Sequence, residues 1–220
     1  MEQLWLLAEI LLINVVLSGD NAVVIAMSSQ HLPERERRQA IWWGAAGAVV
    51  LRCLLTVVAV WLMDIPLVQA AGGVMLFVIA IQLLNDSVHD LGGVKEVGSL
   101  WSAVRTILIA DFIMSLDNVL AIAAVAKGQM AYIILGIALS IPIIVWGSAF
   151  VTDMMRRFPS VVLLGAGILG FTSGEMISAD QQLSQWLPSF WGPLHTLLPW
   201  LVLTIVLFVG FVMKRQGNKV

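Results

Sequence analysis

Seven apolar runs, each near the 20 or so residues that a helix needs to cross about 30 Å of hydrocarbon, follow one another along almost the whole chain. They predict membrane helices over Leu4–Met27, Ala40–Met63, Leu67–Leu84, Thr106–Ala126, Met130–Phe150, Val161–Ile177 and His195–Met213. With 60% apolar and 12% charged residues and a mean hydropathy of +0.94, an ordinary soluble domain is excluded. The expected fold is an all-α polytopic membrane protein, residues 1–220 forming one transmembrane domain. The start, Met1-Glu2-Gln3, is acidic and precedes a run too long for a cleavable leader, so that run reads as the first span. The lone Cys53 can form no intramolecular disulfide and no thiolate cluster, and reads as a small buried residue.

Short loops rich in Lys and Arg stay cytoplasmic. Arg35, Arg37, Arg38, Lys95, Arg105, Arg156, Arg157, Lys214, Arg215 and Lys219 fall on one side, and only Lys127 on the other. The N-terminus is therefore expected outside and the C-terminus inside. The segment His31 to Arg38 reads as a solvated cytoplasmic turn that sets this topology.

That orientation runs spans one and four in opposite directions. Aligned, they superpose Ser18-Gly19-Asp20-Asn21 on Ser115-Leu116-Asp117-Asn118 and Asn14 on Asp111. Nearly the same offset brings Gly72 onto Gly165 and Gln82 onto Glu175, so spans three and six correspond too. The expected architecture is a 3+3 inverted repeat, residues 1–86 and 104–180, with a seventh helix over 195–213. Secondary transporters are commonly built this way, with the site where the halves meet.

Five acids lie in the spans: Glu9, Asp20, Asp111, Asp117 and Glu175. Each must find a partner, a proton, a cation or water, because a carboxylate in hydrocarbon costs a few kcal/mol. One span arginine, Arg52, cannot neutralise all five. At about 100° per residue, Asn14, Ser18 and Asn21 share a face from which Asp20 points away, so a site using all of them needs a bend, for which Gly19 is suited. The metal-ligating candidates are Asp20, Asn21, Asp117, Asn118, Glu175, Ser18 and Ser115. Asp111, Asn14, Glu9 and Arg52 are assigned to coupling or counter-ion roles.

Carboxylate, amide and hydroxyl oxygens make a hard-cation site, for manganese, magnesium or calcium. Zinc and copper would recruit His or Cys, whereas His31, His89 and His195 lie at loops or span ends. Met27, Met114 and Met176 lie near the motifs, either as packing or as thioethers that would favour manganese.

These two motifs, heading two inverted halves, resemble the TerC family of integral membrane proteins, and in particular its short, YjbE-type branch without appended cytosolic domains. The resemblance covers essentially the whole chain. It implies export of manganese(II) across a bacterial inner membrane, the metal being substrate and no prosthetic group being needed, with Asp20, Asn21, Asp117, Asn118 and Glu175 as ligands. Partners are then the cation and the bilayer, not nucleic acid.

The leading expectation is thus a secondary transporter working by alternating access, coupled to protons, and not an enzyme. No G-x-x-x-x-G-K-[ST] motif and no large loop is present to hold a nucleotide. The alternatives are a membrane scaffold for a metal or tellurite stress complex, and an intramembrane aspartyl protease using Asp20 and Asp117.

Overall fold

The computed structural model describes Leu12 and residues 18–63, 65–90, 99–125, 130–158, 160–186 and 188–217. Among these residues the chain is helical throughout, without strands: α1 (Gly19–Ser29), α2 (Glu34–Met63), α3 (Val68–Asp90), α4 (Leu100–Val125), α5 (Met130–Arg157), α6 (Ser160–Ala179), α7 (Gln181–Trp186) and α8 (Pro188–Gly217). Among the described residues five stretches are long and apolar enough to cross a membrane: Glu34–Thr56, Val68–Asp86, Ala138–Arg157, Ser160–Ala179 and Gly192–Met213. Most of the first predicted span, Leu4–Met27, lies outside the described residues.

Several boundaries differ from the sequence-based expectation, α3 running on to Asp90 and α4 starting at Leu100 among them. Helix α2 starts at Glu34 rather than Ala40, so most of the predicted cytoplasmic turn is helical. Pro33 ends the loop, its carbonyl accepts the Arg37 N–H at 2.8 Å, and Glu34 and Glu36 suit the positive end of the helix dipole. Arg38 pairs with Glu34 one turn back at 2.6 Å, an exposed i,i+4 contact of modest strength. Helix α5 runs on to Arg157, ending in two arginines that suit the negative end of its dipole. The predicted connection before His195 contains α7 and the first turns of α8.

Packing divides the chain into two compact units. One comprises Met1–Asp64 and Ser99–Asp153, the other Ile65–Gly98 and Met154–Val220. Each unit draws on both halves of the sequence. The motif-bearing helices α1 and α4 fall in the first, and the corresponding pair α3 and α6 falls in the second.

In the first unit Ile25, Ile41, Ala45, Ile107 and Ile144 form a core contributed by α1, α2, α4 and α5. Gly44 and Gly47 of α2 lie so close to Ile107 and Leu108 of α4 that an added Cβ would come within 2.8 Å of each side chain. Small residues one turn apart let helices approach in hydrocarbon, where tail burial gives no net drive and close packing supplies the attraction.

The second unit is tighter still. Ser173 Oγ of α6 donates to the Gly73 carbonyl of α3 at 2.7 Å, and a Cβ on Gly73 would lie 2.7 Å from the Ser173 carbonyl oxygen. At the next position of α6, a Cβ on Gly174 would lie 2.5 Å from Pro199 Cα and 2.9 Å from its nitrogen in α8. Backbone cannot rotate aside as a side chain does. Gly174→Val is therefore expected to cost about 3 kcal/mol or more through overpacking, read as a lowered melting temperature in detergent, whereas Gly147→Val, where an added Cβ meets nothing within 4 Å, should be tolerated.

The outward faces are apolar. Along α8, Leu197, Trp200, Leu201, Ile205, Phe208 and Phe211 are exposed on one stripe, while Val202 and Val206 are buried on the other. An apolar face of that length suits lipid, not water. Trp146, the one tryptophan placed well inside a predicted span, is 75% exposed on α5 and stacks on Phe150.

Candidate functional site

Both motifs enter the first unit through different backbone settings. In the first, α1 begins at Gly19, and Ser18 stands just outside it at φ −105° and ψ 6°. In the second, Ser115, Leu116, Asp117 and Asn118 lie within continuous α4. The described helix start thus falls at Gly19. The glycine's backbone does not occupy the left-handed region, however, and a Cβ there would meet nothing within 4 Å.

Ser18 occupies the N-cap position of α1 but makes no side-chain cap. Its hydroxyl oxygen accepts instead from Arg52 Nη1 at 2.9 Å. Arg52 projects from α2 and is 2% exposed. Its Nε donates to Ser115 Oγ at 3.0 Å, and its Nη2 meets Asp111 Oδ1 at 2.7 Å in a buried ion pair. Ser115 Oγ in turn donates to Asp111 Oδ2 at 3.2 Å. One guanidinium thus gathers the serines of both motifs and one span acid. Its planar fork of fixed donors is suited to this, where a lysine would offer a point charge.

Asp20 is half-buried. It accepts the Asn21 N–H at 2.8 Å and lies within Coulombic reach of both Arg52 and Asp111. Asn21 is 4% exposed, and among the described residues neither its Nδ2 nor its Oδ1 has a hydrogen-bond partner. A buried primary amide left so costs about 1–3 kcal/mol.

The other predicted site residues are not all gathered here. Asn118 is half-buried on α4, while the Asp117 side chain, Glu9 and Asn14 lie outside the described residues. Glu175 belongs to the second unit, where it is exposed on α6, as Gln82, with which the sequence alignment pairs it, is on α3. Met27, Met114 and Met176 are all buried. Among the described residues no three His, Cys, Asp or Glu side chains converge as a metal cluster.

One buried carboxylate was not anticipated. Asp180, 3% exposed, caps α7 by accepting the N–H groups of Gln182 and Leu183 at 3.0 and 3.2 Å. Its other oxygen accepts the Ala70 N–H in the first turn of α3 at 3.1 Å. The local signal was Asp180 followed by Gln181 and Gln182 directly after an apolar run, an N-cap pattern. Asp180→Ala is expected to cost about 2–4 kcal/mol by orphaning these donors, and Asp180→Asn less, as measured by thermal unfolding in detergent.

The family model for the TerC integral membrane proteins matches residues 1–218. The chain belongs to the TerC family. Among its TerC-like relatives, membrane protein YjbE of Bacillus subtilis is 42% identical over 198 residues, covering 90% of each chain. Membrane protein YkoY of the same organism is 27% identical over 191 residues, covering 78% of this chain and 59% of that one. The UPF0053 inner membrane protein YgdQ of Escherichia coli is 27% identical over 190 residues, covering 76% and 79%. No solved structure matches. Membership of the TerC family and the apolar helices together make this an integral, multi-pass membrane protein.

Proposed function

We propose that the chain is a secondary transporter that exports divalent metal cations, manganese(II) foremost, from the bacterial cytoplasm by alternating access, with protons as the counter-ion. Seven spans arranged as a 3+3 inverted repeat, N-terminus outside, would carry it. The observation that supports this most is the charge balance around Arg52. The guanidinium is paired with Asp111, which among the described residues leaves Asp20 without an ion pair of its own, next in sequence to Asn21, whose amide has no partner there either. The repeat supplies the same pair again in Asp117 and Asn118. Two carboxylates and two amides match a hard dication in charge and in donor type.

Proton coupling follows from the same ligands, because carboxylates that release a metal ion are free to take up protons. The test is the metal content of cells expressing the intact chain or Asp117→Asn, with manganese, magnesium, calcium and zinc measured together. The intact chain should lower manganese selectively and the variant should not. Equal contents in both would sink the reading.

A further inference from the structure

We propose that Arg52 is a tethered cation: it occupies oxygen ligands of the transport site between metal-binding events and gives them up when a divalent cation binds. This rests on the transport reading above and adds a competitor built into the chain. A guanidinium serving only to neutralise Asp111 needs one edge. Arg52 instead spends three different nitrogens on three residues, Nη2 on Asp111, Nη1 on Ser18 and Nε on Ser115.

The two serines hold equivalent positions in the two motifs, each two residues before the motif aspartate. The cation therefore sits on the pseudo-symmetric element of the site rather than beside it. The second observation is Asn21, three residues from Ser18, buried and with neither amide atom satisfied among the described residues. A dication drawing on Asp20, Asn21 and either serine would meet the guanidinium across a few ångströms of low-dielectric interior, where like charges repel strongly. Both cannot hold the same oxygens.

The consequence is a site that never presents a bare set of carboxylates and hydroxyls to hydrocarbon. Metal entry must displace Arg52, and its return helps expel the metal. Affinity is sacrificed for release, which is what a transporter needs and a storage site does not.

The experiment is manganese(II) binding to the purified full chain in detergent, followed by the electron paramagnetic resonance of free hexaaqua manganese. The intact chain, Asp20→Asn and Arg52→Gln are compared, together with Arg52→Gln/Asp111→Asn, which buries no unpaired charge and decides the matter if the single variant does not fold. Removal of the competitor should tighten binding at least about tenfold, and Asp20→Asn should abolish it. A structural Arg52 would instead give weaker binding when removed. Binding to the intact chain that depends on Asp20 but is no tighter without Arg52 overturns the tethered cation alone. No manganese binding in any of these proteins overturns the transport reading and the tethered cation together.

Discussion

Asp20→Asn is expected to reduce manganese flux through reconstituted protein by about 100-fold or more, beyond the 10–100-fold typical of changes one shell further from a metal, and to leave the fold intact. The stability half of this expectation comes from what Asp20 touches. Its described hydrogen bond is to the Asn21 N–H at 2.8 Å, which an amide oxygen accepts equally well, and Arg52 is ion-paired to Asp111 instead. The substitution orphans no buried cation. The transport half comes from losing one of two anionic ligands in a site that must hold a dication. Flux within a few-fold of the intact chain, with helical content and melting temperature unchanged, would contradict the role assigned to Asp20.

Asp111→Asn should behave in the opposite way. Here the carboxylate answers a guanidinium only 2% exposed, and its other oxygen accepts from Ser115. Breaking one side of a buried pair strands the other charge, at about 3–5 kcal/mol. The expected result is a large fall in melting temperature and in folded yield. The double variant Arg52→Gln/Asp111→Asn should recover most of that loss, because it removes both charges together. If Asp111→Asn melts like the intact chain, the ion pair does not hold this unit together. The contrast separates the ligand role proposed for Asp20 from the counter-ion role of Asp111.

Helix content and the apolar lipid face were legible from run length and composition, because a helix in hydrocarbon must satisfy its own backbone and little else. The pairing of Ser18 with Ser115 was legible as a repeat. What joins them was not: Arg52 stands 34 residues from Ser18 and 63 from Ser115. The packing of α2 against α4, through Gly44 and Gly47, brings its guanidinium to Ser115, and Ser18 meets it from just before α1. A coupling or counter-ion role for Arg52 is legible in the sequence, but not which of the five acids it answers.

On a regular helix Asp20 would point away from the face that Ser18 and Asn21 share. In the structure Ser18 stands outside α1, whose first turn begins at Gly19, so that regular-helix relation does not extend back to the serine. The second motif lies in an unbroken helix with leucine at the equivalent position. Two nearly identical motifs therefore have unlike backbones, which pattern matching cannot reveal. Asp180 escaped notice for another reason. It lies just past an apolar run, where an acid is normally taken as solvated, and its burial depends on meeting the start of α3, 110 residues away.

The most direct measurement is the initial rate of manganese(II) movement into liposomes containing the purified intact chain, against protein-free liposomes under the same gradient. A saturable rate well above the protein-free control, competed weakly by magnesium and calcium and dependent on Asp20, is the predicted result. A rate equal to the protein-free control, from protein shown to be folded, would contradict it.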